Sequence, residues 1–218
     1  NFRKMGADAV CITNGFDGFE NSLKTERNPK FTLSYIGVLE QLRNPKILWN
    51  TLNEIISENY DFKKDFELKF VGRVDDKILN EIENSKLKNS LNNVGYLSHL
   101  EANAEMQNSD VLLMTNFPDK ISKGIIPGKI FEYLATGKPI LSFGPKESDV
   151  KKILDETNAG KHFSYQDSAE LKAFLIDHYQ NWKSGITSSK TKNIEQFSRR
   201  NLTGKLSEIL EAETRVRA

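Results

Sequence analysis

The chain has 218 residues, 38 % hydrophobic and 28 % charged, the composition of a globular domain that can fold without disulfides or bound metal. Lys and Arg number 31 against 30 Asp and Glu, so a formal net charge of +1 gives no reason to expect a nucleic-acid partner. The lone cysteine, Cys11, excludes an internal disulfide framework and fits a reducing, cytoplasmic compartment, and no apolar run approaches the ~20 residues of a membrane-spanning helix. The opening NFRKMGADAV begins at Asn1 and reads as mid-chain without a signal peptide, so the sequence is expected to be part of a longer protein.

In chain order, Ala9 to Thr13 reads as a strand stopped by Asn14-Gly15, with Cys11 buried and inert within it. Phe16 to Lys30 is polar and reads as a linker. Phe31 to Val38 (FTLSYIGV) is a buried strand, and Pro45 opens a helix from Lys46 to Tyr60 with Ile47, Leu48, Leu52, Ile55 and Ile56 on one face. Phe66 to Val71 is a strand, Gly72 to Asp75 a turn, and Lys77 to Ser85 a helix; Val94 to Leu97 is a short strand and Leu100 to Asn108 a short helix. Val111 to Thr115 is a further buried strand, followed by the loop Asn116 to Ile126 and a helix from Pro127 that ends at Gly137. Pro139 to Phe143 is a strand, Ser148 caps a helix from Val150 to Thr157, and Gly160 to Phe163 is an edge strand. A helix from Ser168 to Trp182, a polar loop from Lys183 to Lys192 and an amphipathic helix from Ile194 to Glu213 complete the chain. Trp49 and Trp182 fall on helix patterns and read as packing. This alternation predicts an α/β, doubly wound, Rossmann-like parallel sheet, in which ligands sit outside the carboxyl ends of the strands.

The stretch Ile126 to Ile140 (IPGKIFEYLATGKPI) carries the chemistry. A loop that turns into a helix at Pro127 aims free N–H groups and the positive dipole end at the ligand cleft. Lys129 in that first turn runs against dipole logic unless it meets a phosphate. Glu132 follows at three residues' spacing, where a carboxylate can accept from two vicinal hydroxyls such as those of a ribose. The alternative is an exposed surface pair. His99, His162 and His178 share no metal-ligand spacing with Cys11 or each other, and no Gly-x-Gly-x-x-Gly, Walker or Asp-x-Asp pattern is present.

PGKIFEYLATGKPIL resembles the donor-site motif of the group 1 glycosyltransferases, a GT-B family that includes many bacterial sugar transferases. AVCITNGFD resembles the turn with which such proteins leave their first domain, and TLSYIGVLEQLRNP the first strand and phosphate loop of the second. FVGRVDD and NNVGYLSHLEANAEMQNSDVLLMTN resemble the next strands, and SRRNLTGKLSEIL the terminal helix that crosses back. The resemblance covers nearly the whole chain in order. It implies the C-terminal half of a GT-B fold: residues 1–30 end the preceding domain and link it, residues 31–193 bind the nucleotide sugar, and residues 194–218 pack back toward a missing N-terminal acceptor domain.

It also implies roles. Gly37 lies under the diphosphate, where glycine permits close backbone approach, and Arg43 and Lys129 are the cations that stabilise the leaving group. An exposed turn is the alternative for Arg43. Glu132 matches the second glutamate of the family's Glu-x7-Glu motif and binds ribose hydroxyls. Tyr96 and Leu97 border the base, with core packing the alternative for Tyr96. Gly128 and Ile130 count among the donor-binding positions, and Asn14 and Gly15 shape the hinge between domains. The sequence departs from the motif at Gly124, where the first glutamate belongs, so recognition of the transferred sugar differs here. The implied activity is retaining transfer from a nucleoside diphosphate sugar to an acceptor hydroxyl, as in polysaccharide biosynthesis, with no metal or other cofactor and with peripheral membrane contact of the full-length protein allowed. Two other readings stand beside it. A nucleotide-sugar 2-epimerase would use more histidine than is present, and a non-catalytic interaction domain would explain Gly124.

Overall fold

The computed structural model describes residues 6, 9–18, 28–166, 169–186 and 189–216. Strands β1 (Phe31–Leu39), β2 (Phe66–Val74), β3 (Leu91–Gly95), β4 (Val111–Thr115), β5 (Ile140–Phe143) and β6 (Gly160–Phe163) form one parallel sheet in the order β3-β2-β1-β4-β5-β6. The central strands are buried on both faces because helices cover both. Phe31 to Ile36 and all of β4 are buried.

Helices α1 (Lys46–Glu58), α2 (Tyr60–Asp65), α3 (Asp76–Glu83) and α7 (Ala169–Lys183) cover one face. Leu48, Leu52, Ile55 and Ile56 are buried on α1 as the periodicity predicts, Ile47 is only partly buried, and Trp49 is buried with them; each fully buried side chain contributes about 1.5–3 kcal/mol by leaving water. The other face carries α4 (His99–Asn108), α5 (Lys129–Thr136) and α6 (Asp149–Thr157), packed through Met106, Ile130, Phe131, Leu134, Val150 and Leu154. Ser148 caps α6 by accepting from the Lys151 N–H (3.1 Å), and Gly137 ends α5 at φ +67°. The Ser168 cap expected for α7 lies outside the described residues.

Four expectations need correction. Residues 9–13 are not a strand and Cys11 is exposed, because this segment lies alongside no strand of the sheet among the described residues. The expected turn from Gly72 to Asp75 is instead the end of β2, which continues to Val74 in register with β1. Asn59 divides the first long helix: it ends α1 and accepts from the Phe62 N–H (3.0 Å) to start α2. β3 starts earlier than read and stops at Gly95, leaving Tyr96 and Leu97 beyond the sheet.

The last helix, α8 (Arg199–Val216), follows a 3₁₀ turn at Ile194–Phe197. The Phe16 N–H donates to Phe197 O (3.0 Å) and the Arg199 N–H to Phe16 O (2.9 Å), so Phe16 and Ser198 pair as a one-residue parallel bridge. Gly15 is needed there, since a Cβ would fall 2.5 Å from both Phe197 O and Leu202 Cδ1. Phe197 also packs on Phe131 of α5, ring centroids 5.6 Å apart.

Candidate functional site

The strand order reverses between β1 and β4, and in a doubly wound sheet that divergence opens the ligand crevice. β1 pairs with β4 only as far as Tyr35 and Leu113. The next residue, Ile36, stays in register with Val71 of β2 but has no partner on the β4 side, where α5 supplies a substitute. The Ile36 N–H donates to the Tyr133 hydroxyl (3.3 Å), which donates in turn to Leu113 O (3.3 Å). The Lys129 ammonium donates to Ile36 O (2.7 Å). Spacing of four along the helix places both side chains over one strand residue.

Gly37 follows at φ +124°, and a Cβ on it would stand 2.7 Å from Lys129 Nζ. Gly72, its register partner on β2, has φ +111°, and a Cβ there would meet Gly37 O at 2.3 Å. The two glycines let the backbones close up beneath the crevice.

The Lys129 ammonium lies deep, 4.5 Å from the Tyr35 ring centroid. Burial, and secondarily the positive charge of Arg43, bring its pKa down to about 8 against the opposing pull of Glu132. Arg43 lies within that field, its Nη2 donating to Val38 O (2.9 Å) and the Glu40 carboxylate (3.1 Å) and its guanidinium over the Phe117 ring at 5.2 Å. It is partly buried, not an exposed turn, and its Nε is buried without a hydrogen-bond partner among the described residues. The Tyr165 hydroxyl lies 2.6 Å from Asn116 O and 3.2 Å from Arg43 O, tying the loops after β1 and β4 together.

One turn along α5, Glu132 faces an adjoining cleft of about 610 Å³. His99 and Asn103 of α4, the peptide from Gly15 to Gly18, and Arg199 line it as well. Arg199 is ion-paired with Asp17. Among the described residues, no hydrogen bond or ion pair engages the Glu132 carboxylate.

Thus Gly37, Arg43 and Lys129 come together, with Glu132 beside them. The other predicted positions fare differently. Ile130 has no exposure and its N–H is bound to Pro127 O (3.0 Å), so it is a core residue and not a donor contact. The Phe131 N–H is likewise taken by Gly128 O (3.2 Å), so the start of α5 offers fewer free amides than the sequence suggests. Gly128 is the N-cap of α5, where a Cβ would stand 3.4 Å from Asn14 Nδ2. Tyr96 is 90 % exposed, which overturns its alternative as a core residue, and Leu97 packs partly buried against the α4–α5 core. Gly124 sits exposed in the loop before α5, the Asp149 carboxylate 3.8 Å from where a Cβ would be.

Sequence reasoning passed over Tyr133 and Asn103, and weighed His99 only as a metal ligand. Tyr133 looks like core packing, though its i+4 relation to Lys129 could have marked it. Nothing in the pattern of α4 distinguishes Asn103. Among the described residues no cluster of His, Cys, Asp or Glu is arranged to hold a metal ion, and no helix is long and apolar enough to cross a membrane.

Fold and crevice define a Rossmann-like domain of the GT-B type. The sequence model described as "Glycosyl transferases group 1" matches residues 30–181, more than half of the chain, and the chain belongs to that family. Among solved structures it resembles Anabaena HepE in complex with UDP and glucose, with 15 % identity and a TM-score of 0.61 over 84 % of this chain and 49 % of that one. It also resembles an S. aureus TarM variant in complex with fondaparinux, alpha-GlcNAc-glycerol and UDP (14 %, 0.66, 94 % and 40 %). A third is the pneumococcal O-GlcNAc transferase GtfA in complex with UDP and GlcNAc (17 %, 0.63, 91 % and 38 %). At these identities the likeness is one of fold, and the chain spans about half or less of each of these proteins. No curated protein sequence matches it.

Proposed function

We propose that the chain is the donor half of a glycosyltransferase that binds a nucleoside diphosphate sugar. In the full-length protein, the sugar passes to an acceptor hydroxyl with retention of configuration. One observation carries this reading: a single turn of α5 presents an ammonium at Gly37 and a carboxylate free of hydrogen bonds at the adjoining cleft. That pairing suits a ligand with a pyrophosphate at one end and a vicinal diol beside it. The UDP in the HepE, TarM and GtfA complexes is a ligand of this chemistry.

The diphosphate gains negative charge as the glycosidic bond breaks, so cations fixed beforehand lower the barrier. Lys129 is fixed by Ile36 O and Arg43 by Val38 O and Glu40, so neither reorganises when charge develops. Together they fill the place of a divalent metal. Glu132 accepts from the ribose hydroxyls and fixes the nucleotide's register. The acceptor site belongs to the other domain, and the reaction to the cytoplasm.

Calorimetric titration of the chain with UDP, GDP and ADP tests this. One of the three binds, Glu132→Ala weakens it about tenfold or more with the fold intact, and the chain alone turns over little donor. Silence toward all three would sink the proposal, and robust transfer by the chain alone would refute the division between domains.

A further inference from the structure

The cleft beside Glu132 holds a second polar group with unfilled bonding capacity. The Asn103 amide is engaged at one end, Nδ2 lying 3.4 Å from His99 Nε2. Its other end, Oδ1, is buried and has no hydrogen-bond partner. The helix does not need this side chain for packing, since Met106 is the only buried residue of α4. A buried amide oxygen without a partner is a net cost to the folded chain, and a turn of the amide toward the cleft that Asn103 lines lets a ligand group fill it.

The chemistry of that group follows from the amide. Nitrogen and oxygen exchange places if the amide is turned over, so the open position is an acceptor in one orientation and a donor in the other. A hydroxyl satisfies both, because it donates and accepts. A carbonyl or an ammonium satisfies only one. Lining the same cleft, the Glu132 carboxylate is acceptor-only and makes no hydrogen bond or ion pair among the described residues, which again calls for hydroxyl donors. Asp17, which also lines the cleft, is ion-paired with Arg199 through one carboxylate oxygen.

We infer that Asn103 is a second hydroxyl-recognising residue of the nucleotide site, closing on the ribose from α4 while Glu132 holds it from α5. This rests on the reading of the cleft as a ribose site and adds to it a specificity residue on a different element. His99 is the positioning residue that fixes one end of the amide.

The experiment is a double comparison by calorimetry. Wild type, Glu132→Ala and Asn103→Leu are titrated with UDP, GDP and ADP, and with the 2′,3′-dideoxy form of whichever binds. Asn103→Leu lowers affinity for the ribo ligand about tenfold, the dideoxy ligand binds wild type weakly, and Asn103→Leu weakens dideoxy binding no further. Thermal melting of apo Asn103→Leu is unchanged or higher, because the unpaired amide is gone; a merely structural asparagine would melt lower. If Leu does not fit, Asn103→Ala gives the same affinity pattern. Wild-type affinity in both variants, or equal losses on ribo and dideoxy ligands, overturns the assignment of Asn103. Glu132→Ala reports separately: a loss confined to the ribo ligand keeps the ribose reading even if Asn103 fails. No binding of any nucleotide by wild type overturns both.

Discussion

The Lys129 ammonium and the Ile36 carbonyl, 93 residues apart in sequence, meet at 2.7 Å where β1 parts from β4. The same lysine thus completes the backbone bonding of a strand and sits at the edge of the crevice. Its buried position makes its charge conditional. A diphosphate favours the ammonium, whereas the empty site loses the proton near pH 8. Nucleotide binding is therefore expected to weaken as pH rises through about 8, by up to about tenfold per unit, and to take up a proton above it. Titration at pH 7 and 9.5 in buffers of different ionisation enthalpy checks this; pH-independent binding without proton uptake counts against Lys129 as a diphosphate contact.

The same group sets a stability trend of definite sign. Its folded pKa lies below its unfolded value, so between about 8 and 10.5 the unfolded chain binds more protons. Stability of the apo chain from this source rises with pH across that window, and the rise is absent in Lys129→Met. Melting curves of the two proteins from pH 7.5 to 10 give the comparison.

Gly37 and Gly72 are neighbours in register, yet replacing them has different consequences. At Gly72 a Cβ runs into backbone, so Gly72→Ala is expected to cost more than about 3 kcal/mol and to disturb the sheet. At Gly37 the Cβ meets the end of a flexible lysine, so Gly37→Ala costs about 1–3 kcal/mol of backbone strain. Its larger effect is lost nucleotide affinity as the ammonium is displaced. Denaturant unfolding and calorimetry on both variants separate the two effects.

Tyr133→Phe deletes one oxygen and leaves Ile36 N–H and Leu113 O without their partner. Because both bonds are long, a loss of about 1–2 kcal/mol is expected by denaturant unfolding, with faster hydrogen exchange at Ile36. Unchanged exchange there would show that Tyr133 does not hold the strand end.

The order of strands and helices was legible because parallel strands covered on both faces leave unbroken apolar runs such as Val111 to Thr115, and because α1 and α5 carry clear stripes. That Lys129 and Glu132 share one helix start was legible from a charge that runs against the dipole, whereas Gly37 was marked only by the resemblance of TLSYIGVLEQLRNP to a phosphate loop. What stayed hidden depends on register. The run of β2 through Gly72 follows from its alignment with Gly37, which one strand's sequence cannot express. Ile130 was misread because four adjacent residues of one helix turn face both crevice and core, and Lys129 and Glu132 drew attention to their neighbours. Asn103 carries no local signature, since its vacant amide end exists only once α4 packs beside α5.

The bridge between Phe16 and Ser198 joins residues from opposite ends of the chain, and it forms one wall of the cleft that Glu132 faces. Closing a loop of that length has an entropy cost that the bridge's few bonds must offset, so the sheet and the Lys129–Ile36 contact are expected to form without it. Trimming either end is expected to leave a cooperatively folded sheet whose cleft beside Glu132 lies open to solvent.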